Sequence, residues 1–310
     1  MYPNQWLDGA RWWAWTLANR PLPMTLRGSR LVAFLLMLNG AAFNANPARA
    51  QATWIDPPTA APPALQKAIA RNESIAARMF KQDHAAAIAQ DELVTRNVLG
   101  KDESLRGWIT DDHDIGVTVL FVGERGGDTV GLYKVVTEAG SILADGYAVL
   151  DPPLALSESQ LAQFRARLLA STADVPRCVA TYNTVALPAY DTDDGSIHVY
   201  LIAATSVPRR IIFGGHHRFT ISRDGRTIAD RRAFTKGCFE MDTKAGGGAV
   251  VSHLLDPNPT EIHVFLNLLN RTRIGVVTME NKVIWFVEGG RITGFRHLTG
   301  EPSETPGAKY

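Results

Sequence analysis

No apolar stretch in this chain of 310 residues reaches the roughly 20 residues of a relaxed membrane-spanning helix. Neither sign of charge is in surplus: 32 basic residues stand against 31 acidic ones. That balance gives no electrostatic reason to expect nucleic acid, whose backbone calls for a strong basic excess. The sequence also has no Gly-x-Ser-x-Gly elbow, no Walker loop, no dinucleotide-binding glycine fingerprint and no His-Glu-x-x-His. Cysteine is scarce, with two residues and no Cys-x-x-Cys spacing. What remains, 45% hydrophobic and 20% charged residues, is the composition of an ordinary globular chain.

The N-terminal region carries an address. In Met24–Gln51, Arg27 and Arg30 form a short basic stretch, and Leu31–Leu38 is unbroken apolar sequence that continues through Ala41, Ala42 and Phe43. Ala48-Arg49-Ala50 then places small residues where a signal peptidase reads. This three-part layout predicts a secretory signal peptide over residues 1–50, cleaved after Ala50, with no stable membrane span left afterwards; an uncleaved anchor is the alternative. Residues 1–23 hold four of the seven tryptophans ahead of Met24, which suits true initiation at Met24. Removing 1–50 takes five basic side chains and one acid, leaving 27 basic and 30 acidic residues, a net charge of −3. The expected location is periplasmic or extracellular.

All eight histidines and both cysteines lie beyond residue 50. Two cysteines in an exported chain most simply form one structural disulfide, here Cys178–Cys238.

Residues 51–63 read as a proline-rich extended leader. Residues 64–99 follow as a helical arm, one long helix or two shorter ones, with Gly100 as its stop. Ile115–Val122, Val130–Thr137 and Ile142–Leu150 are β-rich runs separated by Gly126-Gly127 and Ala139-Gly140, the pattern of a three-strand antiparallel meander. Ser157 and Gln160 have capping-box spacing before the apolar stripe Leu161, Phe164, Leu168. Strands are expected over Cys178–Leu187, His198–Thr205, Ile211–Ser222 and Thr227–Phe234, the last two joined by Arg223-Asp224-Gly225-Arg226. A short run at Val250–Leu254, a helix from Pro259 and a hairpin around Glu280-Asn281 complete the body. Strands in groups with few helices predict an α+β fold, mainly antiparallel, with a helical N-terminal arm and two packed helices. The body is read as one unit over 64–298, with 64–172 and 177–298 as the alternative subdomains. Residues 299–310 are read as a loose polar tail.

Few residues invite a chemical reading. His253–His263 (HLLDPNPTEIH) gathers His253, Asp256, Glu261 and His263, donors that suit Zn²⁺ or a similar ion. The structural alternative makes Asn258, Pro259 and Glu261 the N-cap, N1 and N3 of a helix, with His263 on its wet face. The segment also resembles the metal-binding segment of JAB/MPN-type metalloproteases: a strand ending in histidine, a proline-bearing loop, then a helix. That family has a second histidine where Leu255 stands, and its downstream Ser-x-x-Asp has no counterpart here. The similarity is confined to this short segment and lacks ligands essential to that family, so the chain is not assigned to it. Gly214-Gly215-His216-His217-Arg218 is the second stretch. Adjacent histidines on a strand face opposite ways, so only one of His216 and His217 can join a given site. Its glycines suit a bulge or a close approach, and an exposed edge strand is its plain reading. Asp111-Asp112-His113-Asp114 and Asp191-Thr192-Asp193-Asp194-Gly195 read as solvated turns. The second departs from an EF-hand, with Ile202 in the place of the terminal glutamate.

The expectation is an exported, non-enzymatic binding, envelope-associated or scaffold protein with no resident cofactor, whose partner is a protein or a small molecule. The competing reading is a metal-dependent hydrolase using His253 with His216 or His217 and an acid, Asp256 or Glu261, around a divalent ion.

Overall fold

The computed structural model describes residues 55–243 and 247–298. The expected signal region 1–50, the start at Met24, the first four leader residues and the tail 299–310 lie outside them.

The chain enters along one edge of a sheet. Asp56 exchanges both backbone hydrogen bonds with Phe295, at 2.8 and 2.9 Å. A 3₁₀ turn at Pro58–Ala60 then leads into α1, Pro63–Thr95. Pro63 sits at the first helical position, where a missing N–H costs nothing. The arm is a single helix of 33 residues. It ends before the expected Gly100, because Asn97 takes the left-handed conformation (φ 64°) and the Val98 N–H returns to the Leu93 carbonyl at 2.7 Å. Its two halves serve different cores. Ile69, Ile75, Ala76 and Met79 belong to the largest apolar cluster. Ala85, Ala89 and Leu93 pack on Val117, Val119, Phe121 and Val135. The small alanines let helix and sheet approach closely.

The meander has four strands rather than three: β1 Leu105–His113, β2 Gly116–Arg125, β3 Asp128–Glu138 and β4 Ser141–Ala155, antiparallel in that order. β1 is poorly marked in sequence because a bulge between Leu105 and Gly107 breaks its alternation. Gly126 and Gly127 both have positive φ (62° and 92°), as the tight turn between β2 and β3 requires. Asp111–His113 form the end of β1, and Lys81 pairs with Asp112.

α2, Glu158–Ser171, begins with the expected capping box. Ser157 Oγ accepts from the Gln160 N–H at 3.2 Å, and Gln160 Oε1 accepts from the Ser157 N–H at 2.9 Å. The helix lies between two sheets. Phe164 meets Ile109, Leu120 and Val122 on one side; Ala166 and Ala170 meet Ala186, Val199, Leu201, Phe219 and Ile221 on the other.

That second sheet is built from β5 Tyr182–Pro188, β6 Ile197–Ala203, β8 His217–Ile221 and β9 Ile228–Ala233, antiparallel in that order. The run expected as one strand over 211–222 is divided. β7, Arg210–Ile212, leaves to pair with β10, Glu240–Asp242, and Gly214-Gly215 turn the chain back into β8. β8 lies between β6 and β9, so the exposed-edge reading of this stretch is overturned.

The third large sheet runs β11 Ala249–His253, β12 Ile274–Thr278, β13 Val283–Glu288 and β14 Arg291–His297. β11 and β12 are parallel, joined through α3, Glu261–Asn270, in an otherwise antiparallel α+β structure. Cys178, ahead of β5, is bonded to Cys238, ahead of β10, with Cα atoms 5.3 Å apart.

Candidate functional site

Period two along the second sheet gathers polar residues on the face turned toward α1 and α3. Tyr200 on β6 stands opposite Arg218 on β8, and Arg218 stands opposite Arg232 on β9. His198 and Thr220 form the next row on the same face. Arg218 is 6% exposed, and His198 and Tyr200 are fully buried. Burial at this level requires internal partners. Tyr200 donates to Glu261 Oε1 at 3.1 Å. Arg218 pairs with Asp191 at 3.2 Å and reaches the Tyr190 hydroxyl. Its guanidinium and that of Arg71 each lie 5.1 Å from the Tyr190 ring centre. His198 Nε2 is 2.9 Å from Asp191 Oδ1, without the alignment of a hydrogen bond. Burial and the nearby Arg218 charge bring His198 down to about 4 against the pull of Asp191, so its ring is neutral at pH 7. Tyr200 is pushed well above its ordinary value by burial and the Glu261 charge.

A second group adjoins the first. Arg232 donates to Asp256 Oδ1 at 2.7 Å, while Asp256 Oδ2 lies 2.8 Å from His253 Nε2. Burial would raise the Asp256 carboxyl, but the hydrogen bond from His253 and the Arg232 charge win and hold it below the usual range. The His253 ring meets His263 edge-on at 4.8 Å. His263 Nδ1 accepts from the Thr260 N–H at 3.1 Å and lies 2.9 Å from Thr260 Oγ1. Burial and the neighbouring His253 hold His263 well below its ordinary value.

The structure corrects the helix start. Thr260 is the N-cap, so Glu261 opens the first turn and His263 occupies N3. The helix begins later than the sequence suggests because side-chain amides of Asn72 and Asn258 take the Pro259 carbonyl, at 2.9 and 2.8 Å. The face expected to be wet is buried: His263 and Asn267 are 6% and 3% exposed. Asn267 ties the Thr272 carbonyl and the Gly290 N–H, each at 2.7 Å. Glu261, 1% exposed, points into the protein.

His216, just ahead of β8, and His217, its first residue, turn opposite ways. His216 joins the interior that holds Arg218, and both its ring nitrogens are engaged. The Ala203 N–H donates to Nδ1 at 3.1 Å, and Nε2 donates to the Ile212 carbonyl at 2.9 Å. Burial lowers it to about 4. His217 faces Phe219 on the other side and donates to the Pro176 carbonyl at 3.2 Å. The glycines before them serve close approach. A Cβ on Gly214 would stand 2.3 Å from the Gly237 carbonyl, and one on Gly215 (φ 80°) would stand 2.6 Å from Cys178 Sγ.

The interior thus brings His216, His253, His263, Asp256 and Glu261 to one side and leaves His217 out. Among the described residues, no group of three or more His, Cys, Asp or Glu side chains is placed to hold a metal ion. In the acidic turn, Asp194 behaves as expected, its Oδ1 accepting from the Ser196 N–H and the Thr192 hydroxyl at 2.9 and 2.8 Å. Asp191 does not, since it pairs with the buried Arg218.

Sequence reasoning touched the stretches that hold Asp191 and Arg218 without giving either residue a partner, and it missed Tyr190, His198, Tyr200 and Arg232. The available signal was His198 and Tyr200 two apart in Ile197–Ala203, whose period places both on one face. A further buried set went unnoticed because its members come from distant elements. Asp83 of α1 accepts from Asn183 of β5 at 3.2 Å and feels Arg167 of α2, which lies over the Trp108 ring at 4.7 Å. Burial raises Asp83 to about 6 and lowers Arg167 to about 9.

A cavity of about 40 Å³ adjoins Asp83, Asn183 and Leu266, and a groove of about 310 Å³ lies between Thr59, Gln66, Glu73 and Arg291. Neither is lined by His216, His253 or Glu261. Comparison with protein-family models, curated proteins and solved structures returns no match.

Proposed function

We propose that this chain is an exported, non-enzymatic α+β protein that works by binding at the cell envelope, held together by Cys178–Cys238. One observation carries this reading: the residues that look chemical in sequence are committed to one another. His216 spends both nitrogens on backbone, Glu261 holds Tyr200, and His253 and Asp256 close on Arg232. Groups tied in this way specify a unique packing of three sheets and α3. Export rests on the residue pattern of 1–50, and the disulfide suits an oxidising compartment. No helix among the described residues is long and apolar enough to cross a membrane.

The test is His253→Ala in the mature chain, residues 51–310. Removing the imidazole strips Asp256 of one partner inside the protein. The binding reading expects a clear loss of stability with no metal released. Release of bound metal with the melting temperature unchanged would favour the hydrolase.

A further inference from the structure

We propose that the outer face of the β11–β14 sheet is a self-association surface, on which a second copy of this chain docks antiparallel about a two-fold axis. The inner face of this sheet, with Val251, Val276, Trp285 and Phe295, belongs to the main core. Strand alternation sends the intervening residues outward, and the solvated face of an antiparallel sheet ordinarily carries polar side chains there. This face departs from that pattern. Its central positions are Val250 and Ser252 on β11, Gly275 and Val277 on β12, Ile284 and Phe286 on β13, and Gly294 and Arg296 on β14. Six of the eleven large apolar side chains that the described residues leave exposed lie on or beside it: Ile55, Val250, Leu254, Leu255, Met279 and Leu298. An apolar concentration of this kind marks an interaction site rather than scattered surface residues.

The strand register selects the second copy. Val251, Val276, Trp285 and Phe295 stand level across the four strands. A two-fold axis between two such sheets at this level, crosswise to the strands, sets each strand over its own equivalent running the opposite way. Every residue then meets the one equally far on the other side of that row, not its own equivalent. Ile284 meets Phe286 of the second copy, Val277 meets Gly275, and Val250 meets Ser252. Sheets packed face to face in this manner interdigitate, with strand directions within about 30° of each other.

The charges obey the same operation. Lys282 stands three residues before Trp285 and Glu288 three after it, so Lys282 of each copy comes over Glu288 of the other. Both are exposed, and Glu288 is only loosely engaged at home, 4.0 Å from Arg273. The turn that carries Glu280 comes over the strand end that carries Arg273, again opposite in sign. Arg296 comes over Gly294, where Ile55 of the entering chain offers apolar surface to its stem. Charges of both signs at the two ends suit neither a polyanion nor a polycation. An inverted copy of the same face supplies each with its opposite.

The experiment is analytical ultracentrifugation of the oxidised mature chain, residues 51–310, across a concentration series. Reversible exchange between monomer and dimer is expected. Lys282→Glu and Glu288→Lys each turn two attractive contacts into two repulsive ones and should weaken the dimer by about tenfold or more. The double variant Lys282→Glu/Glu288→Lys exchanges the charges and should restore it. Mixing the two single variants should restore it as well, because every glutamate then faces a lysine. Val250→Asp should abolish association. All three positions are exposed, and melting curves of dilute protein that match the parent verify that the variants fold. A monomer at every concentration overturns the inference, as does a dimer that no variant alters. A dimer that the single variants weaken and the double variant does not restore overturns it too, since the two-fold register would then be wrong. None of these outcomes bears on the binding role, which metal content tests separately.

Discussion

Tyr200 donates its phenol hydrogen to Glu261 across the boundary between the second sheet and α3, at 3.1 Å, with both side chains sealed from solvent. A carboxylate this deep depends on its donors, since an unsatisfied buried charge costs far more than a made hydrogen bond returns. Tyr200→Phe removes the hydroxyl and keeps the ring. It should destabilise the protein by about 2 kcal/mol, read from urea unfolding. A midpoint equal to that of the parent would show that Glu261 is satisfied elsewhere.

Reduction should weaken the fold. Cys178 and Cys238 are 60 positions apart, and the chain-entropy model assigns closure of such a loop about 4 kcal/mol. Denaturation with and without reductant tests this, and coincident curves would remove the claim. Gly215→Ala should impair the same bond, because the new methyl would meet Cys178 Sγ and the backbone is left-handed there. Counting free thiols in the purified variant reports it.

Acid should destabilise the protein before its carboxylates titrate in bulk. His198 and His216 titrate at about 4 in the folded chain, and burial lowers His84, His217 and His263 as well. Below pH 6.5 the unfolded chain takes up these protons first, so stability present above that pH is lost as the pH falls toward 4. Asp83 acts in the opposite direction. Its raised value, about 6, gives stability that is full below 3.8 and fades as the pH rises through 6. Five histidines against one aspartate leave a net loss on acidification. Melting temperatures from pH 7.5 down to 4 should fall steadily, and a flat profile would contradict the buried, neutral histidines.

The mature protein recovered from an exporting host should begin at Gln51. N-terminal sequencing decides this, and an intact Met1 or Met24 would overturn both the cleavage and its site.

Turns and caps were the most legible parts of this sequence, because each is fixed by neighbouring residues. Ser157 and Gln160, Gly126-Gly127 and the Arg223–Arg226 hairpin stand where their residue types place them. The disulfide was legible because only one pairing existed. β1 was hidden by its bulge, and the parallel β11–β12 pair by a crossover that local periodicity does not record. The polar interior is the least legible part. His263 looked wet on a helical wheel, yet it lies beneath His253, a contact made by β11 and not by the helix. Arg218 and Asp191 are 27 positions apart, and nothing local announces that one needs the other.

The most direct test of the account is the metal content of the oxidised mature chain, residues 51–310, purified without chelator or metal-affinity resin. If His216, His253 and His263 are internal ties, the protein should carry far less than one transition metal per chain, and added zinc should leave its melting temperature unchanged. About one zinc, manganese or iron per chain, lost in His253→Ala, would contradict the account and make the histidine-lined interior a metal centre.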